Sequence, residues 1–303
     1  MSLIESALAR AKAMAGSAEA TSSTQSPSKP RSGASRSASN AATRAATRAA
    51  MEPAVEPAER ILAPARALDR KSCQVNRVLV DENAAENAAA AAAYRMLRTR
   101  TLRRARTNGW GTLGVTSAMP DDGKSVTALN LGLSLAREGN SDVVLLDLDL
   151  RDPSMCKYLG VGPPGNLTDF FERHAALPDM FFSIGVPNLI LAAATTATDR
   201  ASELLASSEF DELLEYIQRR TRNPLILIDL PPVLVTDDVL VVAPKIDAVV
   251  VVAAEERTNR ADLDRALGLL SEFPIAGIVL NRAAEAGQSY GYGYGYGVDI
   301  SRG

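Results

Sequence analysis

Cysteine, histidine and long apolar runs are scarce in this sequence, and each scarcity excludes a class of protein. The 303 residues include two cysteines, Cys73 and Cys156, too few for a disulfide framework. Because the chain also has a single histidine, we do not expect a structural zinc site with Cys and His ligands. The longest apolar stretches are interrupted by aspartate, so none approaches the roughly 18 residues of a membrane-spanning helix. The first residues also lack a signal-peptide pattern, and we expect a cytoplasmic protein.

Charge is unevenly distributed along the chain. Residues 1–72 carry 11 Lys and Arg against 6 Asp and Glu, although the whole chain has a formal net charge of −3. A basic arm of this kind suggests an anionic partner, such as a membrane surface, nucleic acid or another protein. Residues 1–16 have apolar side chains at helical spacing and predict an amphipathic docking helix, with membrane insertion as the alternative. Residues 17–74, rich in Ala, Ser, Pro and Arg, predict a disordered linker.

Residues 75–285 alternate between apolar strand patterns and helical patterns. Continuous Val, Ile and Leu runs are typical of strands buried on both faces, and their alternation with helices predicts an α/β domain. We expect a mostly parallel sheet with helices on both faces. Residues 286–303 form a separate segment in which tyrosine alternates with glycine, which predicts a flexible tail. Its clustered tyrosines are Tyr290, Tyr292, Tyr294 and Tyr296.

A phosphate-binding loop is predicted where the first strand meets a helix. The segment AMPDDGKS matches the spacing G-x4-G-K-[ST], with alanine in the first glycine position. In such a loop, backbone N–H groups and a helix N-terminus face phosphate oxygens, the lysine reaches the β- and γ-phosphates, and the serine hydroxyl binds Mg²⁺. The strand–loop–helix context therefore predicts nucleotide binding by Ala118, Met119, Pro120, Asp121, Asp122, Gly123, Lys124, Ser125 and Val126.

Carboxylates follow two further predicted strands. VVLLDLDLRDP places Asp147 and Asp149 two residues apart, and LILIDLPP ends in Asp229. Parallel strands present their carboxyl ends at one edge of a sheet, so these groups should face the phosphate loop. Carboxylates brought together repel one another unless a cation lies between them, which favours a Mg²⁺ site. Arg151 could contact a phosphate or pair with either neighbouring aspartate.

At these motifs the chain resembles the bacterial tyrosine kinases (BY-kinases) of capsule and exopolysaccharide synthesis, a branch related to the MinD/ParA-type ATPases. The resemblance covers about residues 90–297. AMPDDGKS resembles the family's Walker A loop, VVLLDLDLRDP its Walker A′ motif, and LILIDLPP its Walker B motif. SELL, at residues 202–205, resembles a family segment, and the tyrosine cluster occupies the place of the family's autophosphorylation sites. Met119 stands where MinD/ParA proteins have a signature lysine, which favours the kinase branch.

The resemblance implies an ATP- and Mg²⁺-dependent tyrosine autokinase regulating polysaccharide polymerisation and export. It implies catalytic roles for Lys124, Asp147, Asp149 and Asp229. Mg²⁺ would be held by Ser125, Asp149 and Asp229, and Asn281 would bind the adenine. Asp147 is the better candidate for the base and Asp149 for the metal, although the sequence does not separate the two roles.

The resemblance also implies partners. A membrane chain-length protein (polysaccharide co-polymerase) would activate the kinase at the inner face of the membrane, and a cognate tyrosine phosphatase would reset it. No nucleic acid is expected. A homo-oligomer is expected, with a ring as one form, although Ala92 replaces the glutamate of the family's Glu-x2-Arg-x2-Arg helix while Arg95 and Arg98 match it.

Two other functions remain open from the residues alone. A P-loop ATPase of the MinD/ParA type without kinase activity would share the nucleotide-site residues and would transfer phosphate to water. An interaction module whose Tyr-Gly tail associates by stacking would neither hydrolyse ATP nor form phosphotyrosine.

Overall fold

The computed structural model of the chain describes residues 60–283. Seven strands form one sheet in the order β3-β4-β2-β5-β1-β6-β7, and every neighbouring pair is parallel except β3 with β4. The predicted α/β class with a mostly parallel sheet is confirmed. The strands are β1 Thr112–Ser117, β2 Val143–Asp147, β3 Phe181–Phe182, β4 Leu189–Ala193, β5 Leu225–Asp229, β6 Ala248–Ala254 and β7 Ile275–Asn281.

Nine α-helices lie within the described residues, with three short 3-10 helices at Ala85–Asn87, Leu177–Met180 and Ala243–Lys245. Most of the helices connect consecutive strands, as a parallel sheet requires. The helices are α1 Arg70–Val75, α2 Ala88–Asn108, α3 Lys124–Ala136, α4 Met155–Leu159, α5 Leu167–Phe171, α6 Ala201–Ala206, α7 Ser208–Arg220, α8 Asp238–Val242 and α9 Arg260–Leu269.

The sheet separates two apolar cores, because successive side chains of a strand point to opposite faces. In β2, Leu146 packs with Phe210 and Leu213 of α7 in one core, whereas Leu145 packs with Leu129 of α3 in the other. α2 covers the outside of the second core through Leu97 and Leu102. Helices therefore lie on both faces of the sheet, and the carboxyl ends of the six parallel strands share one edge.

The structure differs from the sequence-based prediction at three places. Residues 60–74, assigned to the disordered linker, are folded onto the domain: Ile61 and Cys73 are buried, and Arg66 N donates to Ser183 O at 2.8 Å. The sequence ASELLASSEFDELLEYIQRR, a continuous helical pattern over residues 201–220 that predicts one helix, forms two helices, because Ser207 has an extended backbone (φ −69°, ψ 170°). The two-residue strand β3 was not predicted. The predicted segments 1–16 and 286–303 lie outside the described residues.

Within the described residues, no helix combines the length and apolarity needed to span a membrane.

Candidate active site

The predicted phosphate loop lies between β1 and α3, at the carboxyl edge of the sheet. β1 ends at Ser117, the loop covers residues 118–123, and α3 begins at Lys124. β1 lies between β5 and β6, where connections leave toward different sides of the sheet and open a crevice. Gly123 has a φ of +91°, in the left-handed region that favours glycine. The loop and the N-terminus of α3 thus have the geometry that the motif predicts.

Lys124, the first residue of α3, extends its side chain toward Asp149 and Asp229. Its Nζ lies 2.8 Å from Asp149 Oδ2 and 3.8 Å from Asp229 Oδ1, and 3.0 Å from Ser125 Oγ. Burial alone would lower the pKa of Lys124, but the charges of Asp229, Asp149 and Asp147 outweigh it and raise the pKa. The side chain is therefore a fixed positive charge in the midst of carboxylates.

Asp147 and Asp229 are paired in register on the neighbouring strands β2 and β5. Both side chains are fully buried. Asp147 Oδ1 and both carboxylate oxygens of Asp229 lack a hydrogen-bond partner among residues 60–283. Burial and mutual repulsion raise the pKa of Asp147, and burial raises the pKa of Asp229 although Lys124 opposes the shift. Buried carboxylate oxygens without hydrogen-bond partners are costly, which indicates a site arranged for a cation.

These residues fit Mg²⁺ and a nucleotide. Unpaired carboxylate oxygens are hard ligands of the type Mg²⁺ prefers, and Lys124 is the cation already attracted to them. No cluster of three or more His, Cys, Asp or Glu side chains that could hold a metal occurs in the described part of the chain.

The two Walker A′ aspartates are held differently. Asp147 Oδ2 accepts from the backbone N–H groups of Ser154 and Met155 at 3.0 and 2.9 Å, at the start of α4. Asp149 accepts from Asp152 N at 3.1 Å through one oxygen and from Lys124 through the other. Asp149 therefore contacts the phosphate-loop lysine directly, whereas Asp147 is anchored to backbone with one oxygen unused.

Asp122, predicted as a phosphate-loop residue, has its own hydrogen-bond partners, Met119 and Thr258. Its oxygens accept from Met119 N at 3.1 Å and from Thr258 Oγ at 2.8 Å. Asn281, predicted to bind adenine, donates from Nδ2 to Asp122 O at 2.9 Å. Thr258 was missed by the sequence analysis, because it lies 136 residues from Asp122 and belongs to none of the motifs.

The other predicted nucleotide-binding residues divide by exposure. Met119, Pro120 and Asp121 are exposed on the loop, whereas Ala118 and Ser125 are buried and Val126 is half-buried in the first turn of α3. The Asp121 carbonyl accepts from the Arg282 guanidinium at 2.9 Å, and its carboxylate lies 3.5 Å from Arg257.

Arg151 is not on the phosphate loop. Its guanidinium forms a two-point ion pair with the buried Asp238 at 2.8 and 3.1 Å and also donates to Ser202 Oγ and Asp199 O. The predicted pairing of Arg151 with Asp147 or Asp149 is therefore wrong, whereas its predicted contact with a phosphate stays a prediction. The motif suggested those partners because they are near in sequence, whereas Asp238 is 87 residues away. The predicted phosphorylation sites, Tyr290 to Tyr296, lie outside the described residues.

A phosphate loop at a switch point of a parallel sheet, with its lysine among strand-end aspartates, defines a P-loop NTPase. A family model agrees: residues 112–291 match ParA, described as "NUBPL iron-transfer P-loop NTPase". The chain belongs to this family of ParA-type P-loop NTPases.

Individual relatives show which members of the family this chain is similar to. Tyrosine-protein kinase CpsD of Streptococcus agalactiae serotype Ia is 28% identical over 182 residues, which are 59% of this chain and 77% of that protein. CpsD of Streptococcus pneumoniae serotype 4 is 29% identical over 185 residues, 59% of this chain and 79% of that protein. The putative tyrosine-protein kinase EpsB of Ralstonia solanacearum is 28% identical over 62% of this chain but only 25% of its own length.

Solved structures agree with these relatives. The VpsO kinase domain is 29% identical with a TM-score of 0.57, over 64% of this chain and 95% of that one. The kinase domain of the Escherichia coli tyrosine kinase ETK shares the fold, with 22% identity and a TM-score of 0.54 over 71% of this chain and 84% of that one. The resemblance to BY-kinases stated from the motifs is thereby confirmed.

Proposed function

We propose that this chain is an ATP- and Mg²⁺-dependent protein tyrosine kinase that phosphorylates its own tyrosine cluster. The observation that carries the proposal is the position of Lys124 between Asp149 and Asp229, beside buried carboxylate oxygens that lack hydrogen-bond partners among residues 60–283. Phosphoryl transfer needs positioned positive charge and metal-binding carboxylates more than covalent help from the protein. The names of the relatives support tyrosine as the acceptor.

Each side chain has a role in this proposal. Lys124 would leave Asp149 and bind the β- and γ-phosphates, and Ser125, Asp149 and Asp229 would hold Mg²⁺. Bound Mg²⁺ would neutralise charge on the phosphate oxygens. Asn281 would contact the adenine through its remaining carbonyl oxygen, since its Nδ2 is engaged with the loop.

Asp147 is the proposed base. The tyrosine hydroxyl proton passes to this carboxylate, the phenolic oxygen bonds to the γ-phosphorus, and the bond to the departing ADP breaks. Burial and the charge of Asp229 raise the pKa of Asp147 to about 8, so only its ionised fraction can accept the proton, and that fraction grows as the pH rises toward this value. Asp149 remains the alternative base, because it reaches Lys124 directly.

The decisive experiment is a phosphotyrosine map of the purified full chain after incubation with Mg-ATP. Wild type is expected to label at Tyr290, Tyr292, Tyr294 and Tyr296, and Lys124→Met is expected to lose the label. Lys157→Met removes an exposed lysine outside the site and serves as the matched control. Equal labelling of wild type and Lys124→Met would overturn the proposal.

Transfer between chains is part of the proposal, because an oligomer would bring one chain's tail to another's site. Full-length Lys124→Met mixed with an active chain ending at residue 285 separates the two routes. Phosphotyrosine on the inactive chain is expected. Several phosphates, each carrying about −1.5 to −2 charges, would then repel one another and loosen the oligomer. An unchanged oligomer distribution after labelling would contradict this last step.

We further propose that a membrane polysaccharide co-polymerase activates the kinase, that a tyrosine phosphatase resets it, and that the complex regulates exopolysaccharide polymerisation and export. The basic N-terminal arm is the proposed docking element. Because Ile61 and Cys73 are buried in the domain, the arm should be removed at residue 59 and not at residue 72. Loss of co-purification with the membrane partner is expected, and unchanged capture would reject this role.

The family match favours one alternative, a ParA-type ATPase that transfers phosphate to water. The same incubation distinguishes it, because such an enzyme would release inorganic phosphate and leave the tail unlabelled.

A further inference from the structure

The carboxyl group and carbonyl of Asp122 join the phosphate loop to two other parts of the fold. Thr258, in the turn between β6 and α9, donates its hydroxyl to Asp122 Oδ1 at 2.8 Å and accepts from Ala254 N at 2.7 Å. Asn281, the last residue of β7, donates to the Asp122 carbonyl at 2.9 Å. The loop is therefore fixed from outside by the ends of β6 and β7.

This arrangement sets the direction of a negative charge. A carboxylate immediately before Gly123 and Lys124 would repel phosphate if it turned toward them. Asp122 is instead 1% exposed, and its two oxygens are used by Met119 N and Thr258. The Thr258 hydroxyl thus binds the Asp122 carboxylate to the turn after β6, whereas Lys124 contacts Asp229 of β5, the strand on the other side of β1.

The fit beside Asp122 is close. A Cβ atom added to Gly123 would lie 2.0 Å from Asn281 Nδ2, so the loop backbone is pressed against that side chain. If Asp122 moved, Gly123 and the start of α3 would move with it, because they follow directly in the chain. The position of the N–H groups at the start of α3 therefore depends on Asp122.

We propose that Thr258 is a positioning residue of the phosphate loop, which acts through Asp122 to preorganise the site for a nucleoside di- or triphosphate. The inference rests on the nucleotide binding in the proposed function. It is independent of which group accepts the phosphoryl group, because it concerns the loop alone.

The test is titration of the full-length chain with Mg-ADP and with Mg-GDP, at a temperature where each variant is folded. Thr258→Val removes the hydroxyl at nearly constant volume, and roughly tenfold weaker binding is expected, as for the loss of about one buried hydrogen bond. Thr258→Ser keeps the hydroxyl and should bind within about twofold of wild type. Both nucleotides should weaken by the same factor, since the loop faces the phosphates that they share.

A double-mutant cycle with Asp122→Asn identifies the route of the effect. If Thr258 acts through Asp122, the double variant should bind no more weakly than the weaker single variant, whereas independent effects would add. Thr258→Ala replaces Thr258→Val if the latter does not fold.

The outcomes separate the two proposals. Three results would overturn the role of Thr258 and leave the proposed function intact. Thr258→Val could bind both nucleotides as tightly as wild type, it could bind only Mg-ADP more weakly, or its effect on affinity could add to that of Asp122→Asn. Failure of wild type to bind either nucleotide would overturn the proposed function together with this inference.

Discussion

Asp122 in the phosphate loop and Asp229 at the end of β5 are both buried, but their surroundings differ. The Asp122 oxygens accept from Met119 N and Thr258 Oγ. Both Asp229 oxygens lack a hydrogen-bond partner within residues 60–283, although Lys124 Nζ lies 3.8 Å away. A buried carboxylate whose oxygens are hydrogen-bonded stabilises the fold. A buried carboxylate without such partners lowers stability and is expected where a ligand will bind it.

Asp147 belongs with Asp229 in this comparison. It is fully buried, it has one oxygen without a partner in the described part of the chain, and its pKa is raised by burial and by Asp229. Asp147 and Asp229 therefore repel each other in the folded protein, and the positive charge of Lys124 only partly offsets this repulsion. Replacing Asp229 or Asp122 by asparagine should have different consequences for both activity and stability.

The largest difference is expected in catalysis. Asp229→Asn removes a proposed metal-binding charge and should lower the initial rate of phosphoryl transfer about 100-fold or more at saturating Mg-ATP. Asp122→Asn should act mainly through nucleotide affinity and leave the saturated rate closer to wild type. Asp179→Asn, at an exposed position, is the control. Equal saturated rates for Asp229→Asn and wild type would show that the unpaired oxygens do not serve catalysis.

Stability should change in opposite directions. In the nucleotide-free protein at neutral pH, Asp229→Asn should raise the free energy of unfolding by about 1 to 3 kcal/mol, because it removes a buried charge whose pKa is raised. Asp122→Asn should lower it by about 1 to 3 kcal/mol, because an amide nitrogen would face a donor. Urea unfolding at constant m-value measures both. Changes of the same sign would contradict the comparison.

The sequence predicted the positions of Lys124, Asp147 and Asp229 better than the contacts of Asp122. Gly123, Lys124 and Ser125 form a contiguous motif, and Asp147 and Asp229 end apolar runs that can only be buried strands. Parallel pairing then brings the two aspartates into register. Local pattern and one general rule about sheet edges are sufficient for these positions.

The contact between Asp122 and Thr258 depends on the tertiary structure, which no local pattern encodes. Thr258 lies in a turn of ordinary composition, and its role follows only when β6 and β1 are adjacent. The folding of residues 60–74 was missed for a related reason. Only Ile61, Leu62 and Leu68 of this segment are large and apolar, yet Ile61 and Cys73 are buried by distant elements.

A smaller effect is expected from pH. Folding raises the pKa values of Asp147 and Asp229, so their contribution to stability is fully present below the unfolded value of about 4 and is lost as pH rises through the higher folded values. The nucleotide-free wild type should therefore lose more stability between acidic and neutral pH than the double variant Asp147→Asn/Asp229→Asn. Parallel stability profiles for the two proteins would show that the carboxylates are not strained.

The smallest effect is expected from Arg151→Lys. The Arg151 guanidinium is held by Asp238 and Ser202 and not by the loop, so Mg-ADP affinity should stay within about twofold of wild type. Stability should fall by about 1 kcal/mol, because lysine keeps the charge but loses the two-point geometry. Titration and thermal unfolding of the same samples measure both. A tenfold loss of affinity would place Arg151 on the nucleotide after all, and would mean that its pairing with Asp238 exchanges for phosphate when nucleotide binds.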